Sequence, residues 1–122
     1  MFYDHITRSL FSGSDDCSIK IWRQNQKNQF IEIQELKDHT SEVDCLFYDK
    51  GTGALFSGSR DKTVKIWSRS KNENNIFEKI QDLNNHTNTV SSICVDPESG
   101  FLFTGSIDKT INVSTNILNF KN

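Results

Sequence analysis

Apolar side chains are in short supply. They make up 34% of the 122 residues, few for a domain that builds a large private core. No apolar run approaches the roughly 18 residues that a membrane-spanning helix needs. The first residues, MFYDHITRS, lack the basic start and apolar middle of a secretory signal. Cysteine is sparse as well: Cys17, Cys45 and Cys94 show no CxxC spacing and are odd in number. That suits a reduced intracellular compartment, the cytoplasm first and the nucleus second, with the thiols as ordinary residues. A reactive thiol at Cys17, in an exposed turn, is the competing reading. Without secretion, the glycosylation-type triplets at Asn85 and Asn112 are chance matches. Nor is there a surplus of one charge. The formal net charge is −2, and no Lys/Arg stripe offers the basic face that a nucleic-acid platform uses. No segment has the length and 3.6-residue period of a helix.

What the chain does contain is itself, repeated. Residues 10–22 read LFSGSDDCSIKIW, residues 55–67 LFSGSRDKTVKIW and residues 102–114 LFTGSIDKTINVS, at offsets of 45 and 47. LKDHTSEV around His39 returns as LNNHTNTV around His86, again at 47. Phe2-Tyr3-Asp4 stands at the same offset before Leu10 as Phe47-Tyr48-Asp49 before Leu55. Correlated blocks at one period signal a repeat architecture.

Each period reads as strands. Ile19, Ile21, Val64, Ile66 and Trp67 alternate with Lys20 and Lys65, the β-branched and aromatic pattern of a half-buried strand. The LFSGS segment before them is a short strand entering a tight turn. Residues 43–49 and 90–96 are more continuously apolar, as the most buried strand should be. Polar stretches at 23–29 and 68–75 precede alternating runs at 30–33 and 76–80, which predicts a fourth strand behind a long hairpin tip. Four strands in about 45 residues describe a propeller blade.

These residues carry a resemblance to the WD-repeat (G-protein-beta-like) β-propeller family. In that family a repeat has a His on the loop into the innermost strand, a Ser or Thr on the second strand, an Asp in the next turn and a Trp on the third strand. His39, Ser57, Asp61 and Trp67 fill all four places in the second repeat. The first has Ser12, Asp16 and Trp22, and its His would precede Met1. The third has His86, Thr104 and Asp108, with Ser114 where the Trp belongs. The repeats run approximately over 1–22, 36–67 and 83–114. The resemblance implies an all-β fold of four-stranded antiparallel blades, an incomplete propeller. There are departures. Asp38 and Asn85 replace the Gly before His, and both tolerate left-handed backbone. Trp22-Arg23 and Trp67-Ser68 replace Trp-Asp. Ser114 removes an indole and its N–H donor.

His39, Ser57 and Asp61 also have the chemistry of a nucleophilic triad. No GxSxG elbow surrounds Ser57 or Thr104, and the His-to-Asp spacing of 22 recurs in both copies. An active site need not repeat in every blade, whereas a hydrogen-bond network that ties a loop to a turn must. The set therefore reads as structural, and neither catalysis nor a cofactor is expected. A metal site at His39, Glu42 and Asp44 fails the same comparison, because the next repeat offers His86, Thr89 and Ser91.

The remaining expectation is recognition of other proteins or peptides, with no membrane partner. The family's usual contact positions, transferred by offset, are Asp15 in the first repeat, Glu42, Asp44 and Arg60 in the second, and Thr89, Ser91 and Ile107 in the third. Arg60 leads, because Arg is enriched at interface hot spots. The resemblance implies an interaction scaffold or adaptor. Other readings are a substrate-recognition propeller of a larger enzyme such as a ubiquitin ligase or kinase, and a scaffold like that of cytosolic iron–sulfur assembly. Propellers take four to eight blades. Met1 aligns with Leu46, inside a strand, and residues 112–122 lose the repeat pattern. The expectation is therefore a fragment, one that needs further blades from a longer chain or from self-association and otherwise has no independent function.

Overall fold

The structure is a computed structural model that describes residues 1–70 and 76–115. The described residues form eleven strands and no helix. A first sheet holds β1 (Phe2–Asp4), β2 (Ser9–Gly13), β3 (Ile19–Gln24) and β4 (Phe30–Leu36) in that order. A second repeats it with β5 (Val43–Asp49), β6 (Ala54–Ser59), β7 (Val64–Arg69) and β8 (Phe77–Leu83). A third has β9 (Val90–Val95), β10 (Leu102–Ser106) and β11 (Ile111–Ser114) among the described residues. All pairings are antiparallel between chain neighbours. These are propeller blades side by side, and the three do not close a ring.

Two boundaries differ from expectation. β3 runs through Gln24 and β7 through Arg69, so each expected polar stretch gives its first two residues to a strand. The first tip is confined to residues 25–29, where the Asn25 side chain accepts from the backbone N–H of Lys27 and Gln29. Residues 71–75 of the second tip, and 116–122 at the end of the chain, lie outside the described residues.

Strand alternation sends each sheet's side chains to two different neighbours. In β6, Leu55 faces the first sheet while Ala54 and Phe56 face the third. In β7, Trp67 faces the first and Ile66 the third. The seam between the first two sheets joins Phe11, Ile19, Ile21 and Leu36 to Tyr48, Leu55, Trp67 and Phe77. Phe11 stacks on Tyr48 at 4.9 Å between centroids and meets Phe77 edge-on at 5.6 Å. The second seam joins Ala54, Phe56 and Ile66 to Val95 and Leu102. Covered on both sides, β6 is buried along its whole length, while β11 alternates between exposed and half-buried positions. An amide clasp reinforces the first seam: the Gln34 side chain donates to the Phe77 carbonyl and accepts from the Phe77 N–H, both at 2.8 Å.

The three turns after the inner strands share one chemistry. Asp4, Asp49 and Asp96 accept from the hydroxyl three residues on, Thr7, Thr52 and Ser99. The next residue takes left-handed backbone: Arg8 (φ 55), Gly53 (φ 74) and Gly100 (φ 74). Gly suits that geometry and Arg8 does not. A second recurring turn puts Cys17, Lys62 and Lys109 at φ 71, 75 and 71. Asp38 and Asn85, expected to be left-handed in place of the family's Gly, have no positive φ; the Asp38 side chain has another use, described below.

Gly58 shows how closely the blades approach. A β-carbon there would lie 2.5 Å from Cys45 Sγ and 2.7 Å from Val90 Cγ1. Gly58→Ala must push the second and third sheets apart, an overpacking cost of about 1–3 kcal/mol. Gly51, whose nearest neighbour would be the Asp49 carboxylate at 3.7 Å, serves as the control, with a change on the order of 0.5 kcal/mol. Urea denaturation of the two variants separates these outcomes; equal costs would contradict the close approach.

Candidate functional site

The second repeat assembles its four expected residues into one chain of hydrogen bonds. His39 stands on the loop between β4 and β5, Ser57 on β6, Asp61 in the turn from β6 to β7, and Trp67 on β7. The Trp67 indole N–H donates to Ser57 Oγ at 3.0 Å. Ser57 Oγ lies 2.7 Å from His39 Nε2, and His39 Nδ1 lies 2.7 Å from Asp61 Oδ2. With the proton on Nδ1, a neutral imidazole donates to Asp61 and accepts from Ser57, so both ring nitrogens are matched. Asp61 also accepts from the backbone N–H of Thr40 at 3.1 Å and of Thr63 at 2.9 Å, and from the Thr63 hydroxyl at 2.6 Å. The carboxylate thus pins the His loop and the turn together.

The third repeat brings His86, Thr104 and Asp108 together in the same way, at 2.8 Å to Thr104 Oγ1 and 2.9 Å to Asp108 Oδ2. Ser114 supplies no indole, and a residue not singled out from the sequence occupies the network. The Asn112 amide lies 3.2 Å from His86 Nε2 and donates to the Asn85 carbonyl at 3.2 Å. In the first repeat, Trp22 donates to Ser12 at 3.1 Å, while Asp16 accepts from Ser18 N–H at 2.9 Å. Ser12 and Asp16 are not bridged there, because no described residue holds the His position.

Asp38 and Asn85 also find partners on the sheet. Asp38 accepts from Lys65 at 3.0 Å and Lys79 at 2.5 Å, and both lysines reach Asp82, at 2.8 and 3.2 Å. Asn112 stands where the second repeat has Lys65, and its amide donates to the backbone carbonyl of Asn85, whereas Lys65 pairs with the side chain of Asp38. Lys65, Lys79, Asp82, Thr63 and Thr110 are all network members that pattern reading missed. Only the repeat alignment of Lys65 with Asn112 hinted at a changed partner.

The electrostatics favour a closed, neutral latch. Burial pushes the His39 imidazole below its ordinary pKa, and this outweighs the opposing pull of Asp61. Burial opposes ionisation of Asp61, yet the bonds from Thr63 and His39 hold its carboxyl below the usual range. The Thr110 hydroxyl does most to hold Asp108 down. The arrangement cannot serve as a nucleophilic triad: Ser57 is fully buried and its oxygen is taken by Trp67. Glu42 and Asp44, considered with His39 for a metal, turn to Arg60 instead.

At the rim above this latch the candidate contact residues divide. Arg60 Nε donates to Asp44 at 3.1 Å, its Nη1 reaches Glu42 at 3.4 Å, and its backbone N–H binds the Glu42 carbonyl at 3.0 Å. Asp15, from the first repeat, adds to the acidic field that raises the Arg60 pKa, after the larger effects of Asp44 and Glu42. Arg60, Asp44 and the half-buried Glu42 form one charged group. In the third repeat the same backbone bond joins Ile107 N–H to the Thr89 carbonyl at 3.0 Å. There Ile107 is exposed and Ser91 donates to the Gly105 carbonyl. Thr89 is buried, so its side chain is not presented to a partner as Ile107 is.

Two outcomes follow. Ser57→Ala strands the Trp67 N–H and His39 Nε2 in the interior and should cost about 2–4 kcal/mol. Thr104→Val should cost less, about 1–2 kcal/mol, because His86 Nε2 keeps Asn112; thermal melts compare them. Because the folded-state pKa of His39 lies below the ordinary imidazole value of about 6.5, its contribution is present above that pH. It is lost as pH falls from there toward the folded value, and Asp61 has the same sign below about 3.9. The urea midpoint should therefore drop on acidification from pH 7, with a shallower drop in His39→Gln; a midpoint that rises toward pH 5.5 would mean a protonated, ion-paired His39.

The family described as WD domain, G-beta repeat, matches residues 3–23, 30–68 and 77–113. No curated protein matches the chain. WD repeats generally mediate protein–protein interaction and are typically non-enzymatic modules. With most of its length matched and its blades, turns and His–Asp latches in place, this chain belongs to the WD-repeat family.

Proposed function

We propose that this chain acts as a non-enzymatic scaffold or adaptor in the cytoplasm, binding a partner protein or peptide at the rim above the His–Asp latches. The observation that carries this reading is the charged group of exposed Arg60 and Asp44 with half-buried Glu42, in which the guanidinium donates to both carboxylates. The His39–Asp61 latch fixes the loop and the turn beside Arg60, Glu42 and Asp44, so they are held in place before a partner arrives, which lowers the ordering cost of binding. One blade along, Ile107 adds an uncharged, exposed contact on the same rim. A partner that offers a basic group to the carboxylates beside an apolar side chain for Ile107 fits this surface. The sheets flanking the platform are completed by further blades, from a longer chain or from another copy.

Capture from cell extract with the tagged chain, compared by quantitative mass spectrometry with Arg60→Ala and Ile107→Asp, tests the reading. Truncating an interface hot spot costs about 2 kcal/mol or more, roughly 30-fold in affinity. Specific partners should fall away from both variants while their melting temperatures stay unchanged. A partner set that ignores both substitutions would place binding elsewhere.

A further inference from the structure

Two half-buried arginines stand at the end of the first seam that lies away from the His39–Asp61 latch. Arg23 follows Ile21 by two residues on β3, so strand alternation turns it to the side of the first sheet that packs on the second. Arg69 follows Trp67 by two residues on β7 and stands in register with Phe77, so it faces the first sheet. Its guanidinium lies 5.1 Å from the Phe77 ring centroid and 5.9 Å from that of Tyr48. Among the described residues, neither arginine pairs with a carboxylate or makes a side-chain hydrogen bond, and Arg69 Nε is the buried polar side-chain atom left without a partner. Lys20 and Lys65, the other described lysines and arginines that are not exposed, reach Glu32 at 3.5 Å and Asp82 at 2.8 Å. Asp4 and Asp49 act on Tyr48 together with Arg69, yet Thr7 takes the first carboxylate and Thr52 the second. Both sheets of this seam have all four strands, so the two walls that carry the arginines are complete.

We infer that this end of the seam binds the phosphate of a phosphorylated side chain on a partner protein. A guanidinium N–H withdrawn from water without an acceptor costs stability. Two arginines in one seam carry that kind of cost, and an anionic ligand removes it. Charge selects the ligand. Two cations are matched by one phosphate monoester, with about two negative charges at pH 7, whereas a carboxylate matches only one of them. The guanidinium fork offers parallel N–H donors to phosphate oxygens, which a lysine does not. The Phe77 and Tyr48 rings hold the Arg69 group through its π face and leave its donors free. This site lies at the opposite end of the strands from the rim of Arg60, so it stands or falls separately from the scaffold reading.

Fluorescence anisotropy of the full chain with a labelled, glycine-flanked phosphoserine peptide tests this. The phosphopeptide should bind about ten-fold or more tightly than its serine and glutamate counterparts, and Arg23→Gln and Arg69→Gln should each lose about ten-fold or more. Lys27→Gln, which removes an exposed cation from the first hairpin tip, should leave binding unchanged. Arg69→Met keeps the apolar stem and removes the unpartnered Nε. It should lose binding as well, yet melt no lower than the wild type without ligand, which keeps the test independent of folding. A phosphopeptide held no more tightly than its glutamate counterpart, or binding that survives either arginine substitution, overturns the inference. So does tighter binding of glycerol phosphate than of the phosphopeptide, which would place the phosphate on a lipid headgroup. A clear drop in the Arg69→Met melt overturns it too, because the guanidinium would then serve the seam and not a ligand.

Discussion

A β-sheet with apolar side chains on both faces is stable only between two neighbours, and this need organises the whole chain. The second sheet meets it fully. Leu55 and Trp67 are buried toward one side, Phe56 and Ile66 toward the other, and even the glycine of β6 has no spare room. At roughly 1.5–3 kcal/mol for each large apolar side chain buried, the two seams are the main source of stability. The outer sheets show the same side chains at the same positions with less cover. Ile66 is fully buried and its counterpart Val113 is more than half exposed, a difference of neighbours and not of sequence pattern.

Packing of this kind fixes sheets against sheets, but it leaves the loops between them free. The polar latch does that second job. A buried imidazole with both nitrogens matched, an indole N–H, a hydroxyl and a carboxylate are costly to bury singly and well satisfied together. The His–Asp pair therefore ties the strand-entry loop to the β-turn, and the rim residues Arg60 and Ile107 emerge from those turns. The fold and the proposed recognition surface meet at Asp61 and Asp108, one residue after each rim side chain.

Strand positions, blade unit and latch members were legible in the sequence because they recur: Ser57 and Thr104 stand at one offset, as do Asp61 and Asp108. What was not legible is the partner that a residue takes where it departs from the pattern. Asp38 looked like a Gly substitute that tolerates left-handed backbone. It is an acceptor for Lys65 and Lys79, and in the third repeat the Asn112 amide reaches the backbone carbonyl of Asn85 instead. Pattern reading treats each position alone, so a loss such as Ser114 was visible while the Asn112 amide near His86 was not. The inter-blade clasp of Gln34 on Phe77 was equally hidden, since a glutamine among polar strand residues carries no local signal. Thr89 erred in the opposite direction, because an offset transfers a position but not its exposure.

Residue-resolved hydrogen–deuterium exchange on the full chain tests most directly the claim that cover by neighbouring blades governs stability. In the isolated monomer, amides of β5, β6 and β7 should exchange slowest, those of β2 and β3 at intermediate rates, and those of β4 and β11 fastest. Slowest exchange in an outer sheet, or uniform rates across all three, would contradict it.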